Sequence, residues 1–320
     1  MIRTTHLSPI SYPFSISYRD NIISLGSCFS VNIGNKLSDL GYTVHQNPAG
    51  ITYNPVSLSR TLKMVSNPES LHDTAPNRHL GVWSHPDFHG SFSHPDKTSL
   101  ILKATESLTT AQKAYAEATH VLITLGTAHV HSSRTTGSVV NNCHKLPADQ
   151  FSKRLLDIEE ILSALTTLVT QMKSLSSASP QFLLSVSPVR HIRNGLQEDR
   201  LSKSLLMVAT HKLAETRDDC HYFPAYELLT DVLRDYRYYA EDLVHPSPEA
   251  VDLVYDLFEK SLLNQDEAEL RQRVSSIVQR QQHRPRFPDT EEHRRFLTKL
   301  EQDISQLQKT WPEVNLTKPS

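Results

Sequence analysis

The residues best suited to chemistry are a cysteine that closes an apolar run and a histidine that trails an aspartate by three positions. Cys28 follows NIISLGS (21–27) and opens CFSVNIGNKLSDLGY (28–42), where Phe29, Ile33, Leu37 and Leu40 recur at helical spacing and Gly41 can close the helix. This pattern predicts a buried strand running into a helix, with Cys28 as the first helical residue or its cap. At a helix N-terminus the free backbone N–H groups and the helix dipole favour an anion, which lowers a thiol pKa. The position suits a nucleophile. It suits a buried structural thiol equally well, since free cysteine is among the most buried residue types.

Asp242 and His245 stand in DLVHPSPEA (242–250). Ser247 is a good N-cap and Pro248 suits a first helical position, so a helix is expected just past the histidine. The spacing lets the Asp242 carboxylate turn back to the imidazole Nδ1–H. Nε2 is then left to face a nucleophile, the arrangement a catalytic triad needs.

Alternating strands and helices must position these groups. Tyr42–His45 reads as a second strand, and the loop NPAGITYNP (47–55) leads into a helix begun by Pro55. Residues 66–100, rich in His, Pro, Asp and Ser, read as a long irregular insertion. Ser107–Ala118 is expected to be helical, THVLITLG (119–126) a buried strand and 127–150 a polar loop. Ile158–Met172 then reads as a helix, QFLLSVSP (181–188) as a strand, Glu198–Leu213 as a helix and CHYFPAYE (220–227) as the last strand. Such alternation predicts a parallel sheet with helices on both faces. Past Ser247 the chain reads as helical, broken near HRPRFP (283–288). In an open parallel sheet, ligands sit beyond the carboxyl ends of the strands. There lie Gly26-Ser27-Cys28-Phe29, Gly126-Thr127, Ser187-Pro188-Val189-Arg190 and the loop from Arg234 to Pro246.

Composition narrows the function class. The 320 residues carry 33 Lys plus Arg against 35 Asp plus Glu, a net charge of −2, without the basic excess of a general nucleic-acid or membrane-surface binder. The three cysteines, Cys28, Cys143 and Cys220, are odd in number and form no Cys-x-x-Cys pair. Reduced thiols and a cytoplasmic location are the simpler expectation. MIRTTHLSPISYPFSISYRD (1–20) has no long apolar run and is not read as a secretory leader, and no window approaches a membrane span.

Other polar clusters compete for attention. His85, Asp87, His89, His94 and Asp96, with His129 and His131, carry ligand atoms for zinc or iron, but at no helical H-E-x-x-H or finger spacing. Pro86 and Pro95 favour a loop or cleft wall, and no cofactor or metal is expected. Asn142, Cys143, His144 and Lys145 are a rival site that could line a pocket. Arg190, His191 and Arg193 suit a carboxylate or phosphate, or simply a basic surface turn. Arg234, Arg237, Tyr236, Tyr238 and Tyr239 crowd the approach to Asp242.

Gly26-Ser27-Cys28-Phe29 resembles the motif that names the GSCFA family. NPAGITYNP, ITLGTAHV (123–130), VVNNCHKLP (139–147), SVSPVRHIRNG (185–195), YFPAYELLTDVLRDYRYYAEDLVHPS (222–247) and HRPRFP look like further blocks of it, through most of the chain. The family is distantly similar to the SGNH/GDSL hydrolases. That resemblance implies a three-layer α/β/α, flavodoxin-like parallel sheet with a helical C-terminal extension, divided as 1–265 and 266–320. It places Cys28 on the nucleophilic serine of G-D-S, with Ser27 as second candidate, and Asp242 and His245 on the closing D-x-x-H. Gly50 or Asn54 would match the second block, whereas G-T-A-H puts Ala128 where the oxyanion asparagine belongs. The Cys28 N–H and Asn142 are the candidate substitutes, with Gly126, Thr127, His144 and Arg190 toward the substrate. The implied activity is hydrolysis or transfer of an acyl ester or thioester of a small molecule or carbohydrate, with no nucleic-acid or membrane partner. The alternatives are a non-catalytic binding module on the same scaffold and a metal-dependent enzyme using the His-rich loop.

Overall fold

The computed structural model describes residues 5–283 and 285–316. Its centre is a parallel sheet of five strands: β1 (Asn21–Gly26), β2 (Thr43–Gln46), β5 (His120–Leu125), β9 (Gln181–Val186) and β10 (Cys220–Tyr222), in the order β10-β9-β5-β1-β2. The three inner strands β1, β5 and β9 are the apolar runs of the sequence, and burial on both faces explains their lack of polar alternation. Ile23, Leu25, Val121, Ile123, Leu125, Phe182, Leu184 and Val186 point into one core, and Ile22, Leu122 and Leu183 into the other.

Helices cover each face. α1 (Cys28–Asp39), α7 (Pro248–Leu262), α8 (Ala268–Gln282) and α9 (Glu291–Thr310) share the second core. The first core takes α2 (Pro55–Ser66), α3 (Lys97–Ala116), α4 (Ile158–Leu175) and α5 (Leu196–Thr216). The C-terminal helices are therefore part of the packed body: Leu270, Val274, Leu300 and Leu307 are buried with Phe29 and Leu37 of α1. The chain leaves β1 for β2 on one side and returns to β5 on the other, so strand order reverses between β1 and β5. That reversal opens a crevice at their carboxyl ends.

Three stretches differ from the sequence reading. Residues 127–150 are not simply a polar loop, because β6 (His129–Ser133) pairs antiparallel with β7 (Val139–Val140) and β8 (Phe151–Leu155) in a small second sheet. Its signal is short: Val130 and Val140 turn inward while His131 and Arg134 face water. The irregular insertion ends early, since Asp96 accepts the Ser99 N–H and starts α3 at Lys97. Within it, a 3-10 turn (Pro68–Asp73) precedes a hairpin of β3 (Asn77–His79) and β4 (Val82–Ser84). The last strand stops at Tyr222, ahead of Pro224 and a single turn, α6 (Ala225–Glu227), that continues into a π-helical turn over Leu228–Leu233. No described helix is long and apolar enough to cross a membrane.

Candidate functional site

Cys28 is the first residue of α1, and Ser27 is its N-cap. The turn that delivers them is held tightly: Gly26 N–H donates to the Asn47 side chain at 2.8 Å, Ser27 N–H to Thr124 O at 3.0 Å, and Thr52 N–H to Gly26 O at 3.0 Å. The Ser27 hydroxyl is buried and accepts the Phe29 N–H at 3.3 Å, so it serves the helix cap. Cys28 is half-buried beside it. Burial pushes its thiol up. The N–H groups of Cys28 and Phe29 and the charge of Lys203 pull it down, and Asp242 adds to the rise. The helix N-terminus thus acts as expected, but desolvation outweighs it.

Asp242 and His245 lie on the loop before α7, which Ser247 caps and Pro248 begins. Asp242 Oδ2 sits 2.6 Å from His245 Nδ1, and its Oδ1 accepts the Val244 and His245 N–H groups at 2.9 Å each. Those two N–H groups and the ring hold the carboxyl down at about 2, so the imidazole is oriented by an ionised carboxylate. Leu243, in the left-handed region at φ 56°, makes the bend that lets the carboxylate turn back. Among the described residues, His245 Nε2 accepts or donates no hydrogen bond, and none joins the ring to the Cys28 thiol.

The two halves are connected through the strand ends. Register pairs Gly26 with Thr124 across β1 and β5, so the carboxyl ends of these two strands lie next to each other. Gly126 and Thr127 N–H both donate to Tyr53 O, at 2.7 and 3.0 Å. The Tyr53 ring meets His191 edge-on at 5.5 Å, and burial together with Cys28 raises the Tyr53 hydroxyl pKa. Arg190 bonds back to Val244 O at 3.2 Å and lies over the Tyr239 ring at 4.2 Å, bringing the β9 end to the His245 loop. His191, half-buried and near Lys203, is held neutral by desolvation with a pKa of about 4, to which His129 and His245 contribute against Asp199. Gly126, Thr127 and Arg190 thus follow the carboxyl ends of β5 and β9, with Arg190 against the loop that carries Asp242 and His245, and Cys28 opens the helix that follows β1.

Other predicted residues are placed elsewhere or already occupied. Asn54 caps α2, accepting the Ser57 N–H at 2.8 Å and donating to the Ser57 hydroxyl at 3.0 Å. Gly50 packs on His89. Asn142 accepts the His144 N–H at 2.8 Å, and His144 Nε2 bonds to His85 O at 2.8 Å, so both belong to the His-rich loop. In that loop His85 is buried against Leu71 O at 3.1 Å, and Arg60 grips Asp87 through two hydrogen bonds of 3.0 Å. His89 and His94 accept nearby N–H groups as local caps. Among the described residues, no group of three His, Cys, Asp or Glu side chains is placed to hold a metal.

Sequence reasoning missed Lys203, Asp199 and Tyr53. Lys203 is wholly buried, and its ammonium donates to Gly126 O at 2.6 Å and Ser187 O at 2.7 Å, the carboxyl ends of β5 and β9. Burial lowers its pKa to about 8, against Asp199 and Cys28. The available signal was its helical spacing from Asp199 and Leu206, which puts a lysine on the buried face of α5.

A sequence model of the GSCFA family matches residues 21–258, and one of the GSCFA domain protein C-terminal domain matches residues 274–319. No curated protein matches the chain.

Proposed function

The chain belongs to the GSCFA family, and from that premise we propose that it is an SGNH-like hydrolase or acyltransferase in which Cys28, His245 and Asp242 act on an acyl ester or thioester. The single observation that supports this reading is the 2.6 Å contact of Asp242 with His245 Nδ1, which orients the ring and leaves Nε2 to exchange a proton. In the first step Cys28 Sγ bonds to the acyl carbon while its proton passes to His245 Nε2. The imidazolium then protonates the leaving alkoxide or thiolate as its bond to the acyl carbon breaks. Water or another nucleophile gives its proton to His245, attacks the thioester and releases Cys28 as the thiol. Asp242 only orients the ring and stabilises its charge.

The Cys28 N–H at the start of α1 is the candidate oxyanion donor. Arg190, over the Tyr239 ring, suits a polar or anionic acyl substrate of small-molecule or carbohydrate type. Residues 1–265 would form the reacting unit and 266–320 an extension bound to it. The unpaired cysteines fit a reducing, cytoplasmic compartment.

A binding module is the second reading. It is favoured by the N–H groups of Gly126 and Thr127 being spent on Tyr53 O and by the Asn54 amide being spent on α2, which leaves few donors for an oxyanion. A panel of acyl esters and thioesters decides between them. Cys28→Ala and His245→Ala should each reduce turnover to background, the double variant should be no worse, and Cys28→Ser should keep a trace. Turnover that survives Cys28→Ala but not Ser27→Ala would move the nucleophile to Ser27. Absence of turnover by the wild type would favour the binding module.

A further inference from the structure

Arg190 carries a charge that the fold leaves unmatched. Its backbone N–H donates to Val244 O at 3.2 Å, and its guanidinium lies over two rings, 4.2 Å from the centre of Tyr239 and 5.7 Å from that of Tyr236. Contact with aromatic rings stabilises a cation but consumes none of the five N–H donors of a guanidinium. Among the described residues Arg190 forms no ion pair, whereas Arg60, Arg154, Arg217, Arg271 and Arg280 each hold a carboxylate. The acids of the neighbouring segments are engaged elsewhere. Asp235 accepts the Arg237 N–H, Glu227 the Tyr222 hydroxyl and Asp199 the His191 N–H, and Asp242 holds His245. Burial raises the Tyr239 hydroxyl pKa, and Arg190 and Arg200 pull against that rise, so two cations act on one hydroxyl. A neutral phenol can bond an arginine without cancelling its charge.

The place of this charge is informative. Tyr239 pairs antiparallel with Pro246, and the Ala240 N–H donates to His245 O at 2.8 Å, so the ring under Arg190 belongs to the segment paired with His245 itself. Tyr239 is buried while Tyr236 is 63% exposed, which gives the half-buried arginine a fixed support beside water. We propose that Arg190 is an anion-recognising subsite of the His245 loop, taking a carboxylate or phosphate group of the substrate. Its role toward a substrate rests on the function proposed above, whereas anion binding by Arg190 does not. The guanidinium presents paired N–H groups that match two oxygens of either anion, which the point charge of an ammonium does not. The contact is non-covalent: no bond breaks, and Arg190 stays protonated.

The first test needs no turnover. The arginine Nε–H signals of the full-length protein are followed by NMR at slightly acid pH during titration with sodium acetate, inorganic phosphate or sodium chloride at matched ionic strength. The Arg190 signal, assigned by its loss in Arg190→Gln, should shift saturably with acetate, with phosphate or with both, and the anion that saturates names the substrate group. Arg273 is the reference: it also lies over a ring, Trp311 at 4.8 Å, and forms no ion pair among the described residues, but it stands on α8. No saturable shift at Arg190, or the same response to chloride or at Arg273, would reduce the effect to general charge attraction and overturn the proposal. The wild-type titration is readable even where Arg190→Gln folds poorly.

A second test uses esters that differ only in carrying a carboxylate, a phosphate or a neutral group. Arg190→Gln should raise KM for the anionic ester by about 10-fold, the loss of a charge-assisted pair, with kcat and the neutral ester unchanged. An equal loss on anionic and neutral esters would overturn the substrate role. Failure of every ester with the wild type would sink the hydrolase reading, while the titration would still decide the anion site.

Discussion

Gly26→Ala should disrupt the turn that delivers Cys28, and its cost can be worked from the backbone. Gly26 has φ +126°, a region that L side chains rarely adopt, and a Cβ built there would lie 2.1 Å from Thr124 O. That is about 1 Å closer than any real Cβ comes, and the obstacle is a backbone carbonyl in the centre of the sheet. The carbonyl cannot swing aside alone, because it accepts the Ser27 N–H at 3.0 Å. Strained backbone of this kind costs about 1–3 kcal/mol, and the loss of one hydrogen bond adds about 1 kcal/mol. A total of about 3 kcal/mol is a large share of a typical stability of about 5–15 kcal/mol. Gly137→Ala is the control: its φ is +69° but nothing lies within 4 Å of the added Cβ, so only a left-handed cost of about 1–2 kcal/mol applies. Urea unfolding should show the Gly26→Ala midpoint lower than wild type by on the order of 1 M, for a slope of about 3 kcal/mol/M, and Gly137→Ala nearer wild type. Equal losses for the two variants would refute the close β1–β5 approach on which the site geometry depends.

Two further outcomes follow from particular contacts. The Asp242 carboxyl is held at about 2, below its ordinary 3.8, so any stability it lends is present above the ordinary value and is lost as pH falls through the folded one. NMR titration should give a midpoint near 2, moving back toward the ordinary value in His245→Ala; an unmoved midpoint would show that the ring contributes nothing. Leu165 is wholly buried on α4 in the first core, and Leu165→Ala should cost about 2–5 kcal/mol by thermal or urea unfolding, far more than a surface change.

The sheet was legible because both of its faces are buried. NIISLG, THVLITLG and QFLLSVSP are short apolar runs bounded by Gly, Ser and Pro, and each became a strand within a residue or two of its expected ends. The helix starts at Pro55 and Pro248 were equally plain, since proline at the first position and Asn54 or Ser247 before it state the cap chemistry locally. What escaped was structure without a period. β6, β7 and β8 are short strands whose pairing depends on partners up to 26 residues apart, such as His129 with Leu155. The start of α3 was hidden because Lys97-Thr98-Ser99 carries no apolar spacing and only the Asp96 cap marks it.

The site divides along the same line. Asp242 and His245 are three residues apart, so their contact is local and could be expected from spacing, as could the placement of Cys28 at the start of a helix. Of the oxyanion candidates, Asn54 is claimed as the α2 cap that Pro55 already announces, whereas the Asn142 amide is claimed by the His144 N–H in a turn that no apolar spacing marks. Lys203 was the hardest to foresee. A lysine on an amphipathic helix is ordinarily a solvated residue whose charge snorkels to water, and α5 offers polar residues on most of its length. Only the strand order, which sets β5 between β1 and β9, brings the Gly126 and Ser187 carbonyls to one point beneath α5. That point lies at the carboxyl ends of β5 and β9, next to the switch of strand order between β1 and β5. The cysteine owes its helix terminus to its immediate neighbours in sequence, whereas Lys203 owes both of its carbonyl partners to topology, which no local pattern encodes.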